Sequence, residues 1–224
     1  QKGEVMSTKS VCDLSYGAMH EFALVLDKAG FDAEMIQGVI NSRGNKQAKA
    51  MYAALASGAT VDDWFELVNT FEIVVPEGYD HGKRLDSFSK EHSKAFYYYN
   101  DAITDKNYAK ATTKLKPGQK FTVKVFQIKE TVTSEDCLAH LRSQKAIFVG
   151  AQGASLVWEQ KKEELPVSRW SVSFDEKNAL WEDPDGNHRV PFVRRYSDGD
   201  FKFDLGVFEL DWRDVYCLLC FCDE

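Results

Sequence analysis

A chain of 224 residues with 44% hydrophobic side chains is long enough to bury roughly 70% of the surface its unfolded form exposes, so a self-sufficient core is expected. Aromatics at 13%, with only 5 Pro and 14 Gly, exclude a collagen-like or disordered chain, and no apolar run approaches the roughly 18 residues that cross a bilayer. The net charge of −7 lies in the last quarter, where residues 171–224 carry 13 acidic and 6 basic side chains and leave 22 of each before them. Such a region repels phosphate backbones and attracts cations or a basic partner, so nucleic acid is not an expected partner.

The start, Gln1 to Ser10, is polar where a secretory signal would be apolar, and Met6 has the position of a natural initiator, which makes residues 1–5 an upstream remnant. Cys12, Cys137, Cys217, Cys220 and Cys222 are odd in number and crowded at one end. That fits no ordinary disulfide framework and predicts a reducing, cytoplasmic setting.

Three short helices open the chain. Met19, Phe22, Ala23 and Leu26 fall at helical spacing before Gly30, Ile36, Val39 and Ile40 follow a possible cap at Asp32 and close near Gly44, and Ala48, Met51, Tyr52 and Leu55 repeat the pattern before Gly58. Each stripe is too narrow to bury itself alone. From about Thr60 the period changes: Phe71, Ile73 and Val75 alternate as a half-buried strand. A helix is expected from about Gly82 to Lys94 with Leu85, Phe88 and His92 on one side, then an extended aromatic stretch at Phe96 to Tyr99.

A turn at Pro117-Gly118 leads to a strand with Phe121, Val123 and Val125. Thr133 to Asp136 forms a capping box before a helix carrying Cys137, Leu138 and Leu141. The apolar stretch Ala146 to Val149 reads as a strand, followed by a glycine turn and a helix reaching about Glu164. Beyond Pro166 the reading is all strand and turn. Trp170, Val172 and Phe174 alternate, Asp198-Gly199 marks a hairpin before Phe201, Phe203, Leu205 and Val207, and Val215 to Cys222, apolar on both faces, reads as a central strand. The expected fold class is α+β: a three-helix unit over 6–57, then an α+β domain over 60–224 with a mixed or antiparallel sheet, packed helices and a β-rich C-terminus.

The candidate binding segment is the strand, glycine turn and helix at Ile147 to Trp158. Gly150 and Gly153 would let a phosphorylated or nucleotide-like ligand approach free N–H groups at a helix start, with Gln152 and Ser155 as side-chain donors. It lacks the Lys and spacing of a P-loop and the third Gly of a dinucleotide fingerprint, and such glycines equally serve close helix–strand packing. Cys217, Cys220 and Cys222 have zinc-like spacing, but strand alternation points Cys217 away from the other two, so no metal is expected. Asp183 to Asn187 resembles the start of a calcium loop without its closing Glu, and reads as a turn.

His20, His81, His92, His140 and His188 show no paired metal spacing, and no GxSxG elbow exists. Tyr97, Tyr98 and Tyr99 could stack on a ligand, with packing as the default reading. Arg43, Lys46 and Lys49 form a small basic cluster that faintly resembles a helix-turn-helix connection without its compact pattern.

The stretch Leu14 to Leu55, with Met19-His20-Glu21-Phe22-Ala23-Leu24, Ala29-Gly30-Phe31 and Val39-Ile40-Asn41-Ser42, resembles an N-terminal module of uncharacterised bacterial proteins from candidate-phylum lineages. Thr133 to Ala139, Val149 to Gly153, Ser173 to Lys177, Ser197 to Phe201 and Leu218 to Phe221 are similar to a second segment of the same group. The resemblance implies a family and no activity, and it implies that residues 6–57 are an attached module. Missing catalytic signatures make a non-enzymatic protein-interaction protein the leading expectation, with no cofactor, no membrane and a protein partner. A small-ligand enzyme or binder at Gly150 to Ser155 is the alternative.

Overall fold

The computed structural model describes residues 64–223, together with His20, Ala23, Leu24, Ile36, Gln37 and Asn41, which are helical. The remainder of the expected three-helix unit, including Arg43, Lys46 and Lys49, lies outside the described residues. The chain divides into two compact units, residues 1–59 and 60–224. Among the described residues no helix is long and apolar enough to cross a membrane.

The second unit is α+β. Its strands are β1 (Phe65–Val74), β2 (Tyr98–Tyr99), β3 (Lys120–Ile128), β4 (Trp170–Val172), β5 (Trp181–Glu182), β6 (His188–Arg195), β7 (Phe201–Val207) and β8 (Tyr216–Asp223). Its helices are α1 (Arg84–His92), α2 (Ser134–Ser143) and α3 (Gly150–Lys161). All eight strands join one mixed sheet in the order β1-β3-β8-β4-β6-β7-β2, with β5 added along β6. The β4–β8 and β7–β2 pairs are parallel and the others antiparallel.

Strand β8 sits between β3 and β4 because neither of its faces tolerates water. Cys217, Leu219 and Phe221 enter a core with Phe88 of α1 and Val157 and Trp158 of α3, while Leu218 and Cys220 enter a second core with Cys137, Leu138 and Leu141 of α2. The sheet therefore carries α1 and α3 on one face and α2 on the other. Each large side chain so buried contributes roughly 1.5–3 kcal/mol relative to exposure.

Strand β1 reaches both cores through a bulge. Its register with β3 shifts between Leu67 and Asn69, so Phe71 and Ile73 face the α1–α3 core while Phe65, also odd-numbered, faces the other. The outer edge of β1 is blunted by α3: the Gln160 amide accepts from Val74 N at 3.1 Å and donates to Val74 O at 2.8 Å, as a neighbouring strand would.

Two helix starts are capped in different ways. Thr133 and Asp136 form the expected capping box of α2, through Asp136 N to Thr133 Oγ1 at 3.2 Å and Thr133 N to Asp136 Oδ2 at 3.0 Å. Helix α1 has no side-chain cap of its own, and Asp105 supplies one from a distant loop by accepting from Leu85 N and Asp86 N, both at 3.0 Å.

The expected strand at Ala146 to Val149 is replaced by one isolated bridge, Ile147 to Phe221. Pairing of β4 with β8 ends at Leu218, and Ile147 fills the open side of β8 beyond it before α3 begins at Gly150. The glycine segment is thus the first helical turn of α3, where Gly153 lets the helix touch the sheet. A Cβ there would lie 2.3 Å from Val149 Cγ2 and 2.8 Å from Phe221 Cζ. Gly153→Ala is expected to destabilise the fold by about 1–3 kcal/mol through overpacking, read as a lower urea midpoint at unchanged slope; an unshifted midpoint would show that the contact yields freely.

Candidate functional site

The four residues expected to hold a ligand at the start of α3 are all buried. The carboxyl of Asp175 stands directly beside Gly150, where a Cβ would be 3.2 Å from Asp175 Oδ2. Asp175 accepts from Thr112 N at 3.2 Å and Glu176 N at 2.8 Å, yet its burial raises the carboxyl above its ordinary value. Gln152 Oε1 is buried without a hydrogen-bond partner. Ser155 donates to the Gln152 carbonyl at 2.8 Å and accepts from Arg84 Nε at 2.8 Å.

That last contact opens onto a groove between α1 and α3. Arg84 Nη2 bonds Glu159 Oε2 at 3.1 Å, and Glu159 Oε1 meets His92 Nε2 at 3.3 Å. The guanidinium lies 5.0 Å from the Phe88 ring centroid, and the Arg84 side chain is only 11% exposed. The groove has a volume of about 560 Å³ and is lined by Tyr79, Asp80, Lys83, Arg84, Glu91 and Glu159 among others.

A second feature crosses the opposite face of the sheet. Tyr98 of β2 pairs with Lys202 of β7, Lys202 with Arg194 of β6, Arg194 with Trp170 of β4, and Trp170 with Tyr216 of β8. Pairing in register puts these five side chains in one cross-strand row. Lys202 lies 4.8 Å from the Tyr98 ring, and Arg194 lies 5.2 Å from Trp170 and 4.5 Å from Tyr196. Tyr98 is 44% exposed and the neighbouring Tyr97 76%. Lys202 is neutralised by Asp204 at 2.7 Å. Arg194 has no ion pair among the described residues, and its Nε is buried without a partner.

Cys217 lies in one core and Cys220 and Cys222 on the other face, with Cys220 Sγ and Cys222 Sγ 3.7 Å apart, and burial pushes the Cys217 and Cys220 thiols up to about 12. Asp183 closes its turn by accepting from Asn187 N and Asp185 N, each at 2.9 Å, and is ion-paired with Arg189. The N–H of Asn187, with the Arg189 guanidinium, holds its carboxyl below the ordinary value.

His81 Nδ1 accepts from Leu115 N at 3.2 Å beside the Tyr79 hydroxyl, and burial lowers the His81 value. His140 stacks on Phe65 at 4.2 Å, and His188 Nδ1 meets Glu209 at 2.8 Å. His92 alone of these borders a network that no sequence pattern had marked, although Arg84, Phe88 and Glu91 share one helical face by spacing.

Comparison with known proteins finds no matching family model, no similar curated protein and no similar solved structure. Geometry and chemistry alone carry the functional reading.

Burial of Asp175 generates a pH dependence. Its native value is raised above 3.8, so its neutral form favours the fold at low pH, and that contribution is lost as pH rises through the native value. Asp175→Asn should therefore gain stability relative to wild type between about pH 3.5 and pH 7 in urea unfolding. A constant difference across that range would overturn the assignment.

Proposed function

We propose that this chain, as a member of the bacterial family its sequence resembles, is a non-enzymatic cytoplasmic protein that recognises another protein through the aromatic and cationic row on its sheet. The observation that carries this reading is Arg194, a cation without an ion pair among the described residues, set between Trp170 and Tyr196. Trp, Tyr and Arg are the residues that dominate binding energy at protein interfaces. Here an Arg is already oriented by stacking, so little freedom is lost when a partner carboxylate meets it. The exposed Tyr97 and Tyr98 extend the row to the sheet edge.

The thiols at Cys137, Cys217, Cys220 and Cys222 are unpaired, which supports a reducing setting. The helical module read from residues 6–57 supplies a second docking unit in the same proposal.

Stacking surfaces also serve single-stranded nucleic acid. The acid-rich surroundings, with Asp198, Asp200 and Asp204 close in sequence to the row, favour a protein partner instead. The test is affinity capture with the tagged full chain, comparing wild type with Arg194→Glu and Tyr98→Ala. A protein retained by wild type, resistant to nuclease and lost with both variants is expected, the loss at Arg194 amounting to about 2 kcal/mol or more. Equal retention by the variants would discard the row, and nuclease-sensitive retention would replace the protein partner with nucleic acid.

A further inference from the structure

The groove between α1 and α3 lies apart from the sheet row and has the size of a small-molecule site. We propose that it binds a small amphoteric ligand of net positive charge, a basic amino acid, with the ligand carboxylate at Arg84 and its distal ammonium toward Glu91.

Arg84 is the anchor. Its guanidinium is fixed from three sides: Nε donates to Ser155 at 2.8 Å, Nη2 donates to Glu159 at 3.1 Å, and the plane lies over Phe88. Ser155 is itself fixed through the Gln152 carbonyl. Nη1 makes no hydrogen bond to any described residue, and Arg84 borders the groove. A planar fork held this way presents N–H donors to a carboxylate with little side-chain entropy left to lose.

The charge pattern selects the ligand. Asp80 and Lys83 pair with each other at 3.2 Å at the rim. Arg84, Glu159 and Glu91 remain, two carboxylates beside one guanidinium, with His92 Nε2 3.3 Å from Glu159 and 3.8 Å from Glu91. A simple anion would meet two carboxylates beside its one cation. A simple cation would meet the oriented guanidinium. A molecule with a carboxylate at one end and cationic groups beyond it satisfies both.

Arg84 and Glu91 stand at i and i+7 on α1, so the two poles are separated by two helical turns, about 10 Å of helix. The extended side chain of a basic amino acid, met by the flexible side chain of Glu91, spans that interval. Glu159 lies between the poles with one oxygen on Arg84 and one on His92, and each carboxylate oxygen retains a lone pair for the ligand's α-ammonium.

The test uses the full chain in thermal-shift and calorimetric titration with L-lysine, L-glutamate, hexanoate and pentane-1,5-diamine. L-lysine should raise the Tm by about 3 °C or more well above its Kd. Hexanoate, which has no ammonium, the diamine, which has no carboxylate, and L-glutamate, which carries the wrong net charge, should each leave it unchanged. Arg84→Lys keeps the charge and removes the fork, and should weaken lysine binding about tenfold or more. Because Arg84 is largely buried, Glu91→Lys serves as a second variant. It is exposed on α1, should leave the unliganded Tm near wild type, and should weaken lysine at least as strongly. No shift with L-lysine, an equal shift with any of the other three compounds, or lysine binding unaltered in Glu91→Lys would overturn the proposal.

Discussion

Strand β8 cannot be placed anywhere except inside the sheet, and the rest of the unit follows from that. Its side chains alternate between Cys217, Leu219 and Phe221 on one side and Leu218 and Cys220 on the other, so an uncovered face would expose several large apolar groups. Two flanking strands satisfy its backbone, and helices must cover both of its surfaces. The cost of this arrangement is that helix α3 has to approach the strand closely, which is why Gly153 stands against Phe221 and why the residues at the start of α3 are buried.

Once α3 is pressed to the sheet by Ala154, Val157 and Trp158, the helix turns Ser155 and Glu159 toward α1. These two groups capture Arg84 on one side, and Phe88 of α1 inserts beside Trp158 at a ring separation of 5.5 Å. The groove is thus a consequence of packing two helices side by side with a charged pair at their seam. A largely buried Arg–Glu pair is not by itself a strong stabiliser, because desolvation offsets much of its attraction. Its main effect is orientation, since it fixes one guanidinium whose remaining terminal nitrogen has no partner within the described chain.

The sequence revealed elements wherever one local rule decided the outcome. Alternation placed β1, β3 and β7, a run apolar on both faces placed β8, and the Thr133 and Asp136 pair marked the start of α2. It failed where the deciding partner was remote. Nothing near Arg84 announces Asp105 as the cap of α1, and nothing near Arg84 announces Glu159, 75 positions away. The bulge at Leu67 to Asn69 reverses which face Phe65 joins, and only the partner strand shows it. The cross-strand row was hidden for the same reason: Trp170, Arg194 and Lys202 look unrelated until register aligns them. At Gly150 to Ser155, glycines read as either a ligand cradle or a packing contact, and only the position of Phe221 and Asp175 around them gives weight to packing.

The acidic surplus of residues 171–224 gains a different meaning once the pairs are in place. Within this region Asp183 is joined to Arg189, Glu209 to Lys177 and His188, and Asp204 to Lys202, while Glu176 reaches Arg142. Lys177, Arg189 and Lys202 are therefore engaged by acids of the same region, and Arg195 by Glu163. Arg194 departs from that pattern in the very part of the chain where a carboxylate would be easiest to find, held among the described residues by the rings of Trp170 and Tyr196. Burying its Nε without a hydrogen bond costs about 1–3 kcal/mol. Stacking against Trp170 and Tyr196 offsets part of that cost and leaves the outer nitrogens of the guanidinium available, so a partner that brings its own carboxylate meets a cation that the fold has already oriented.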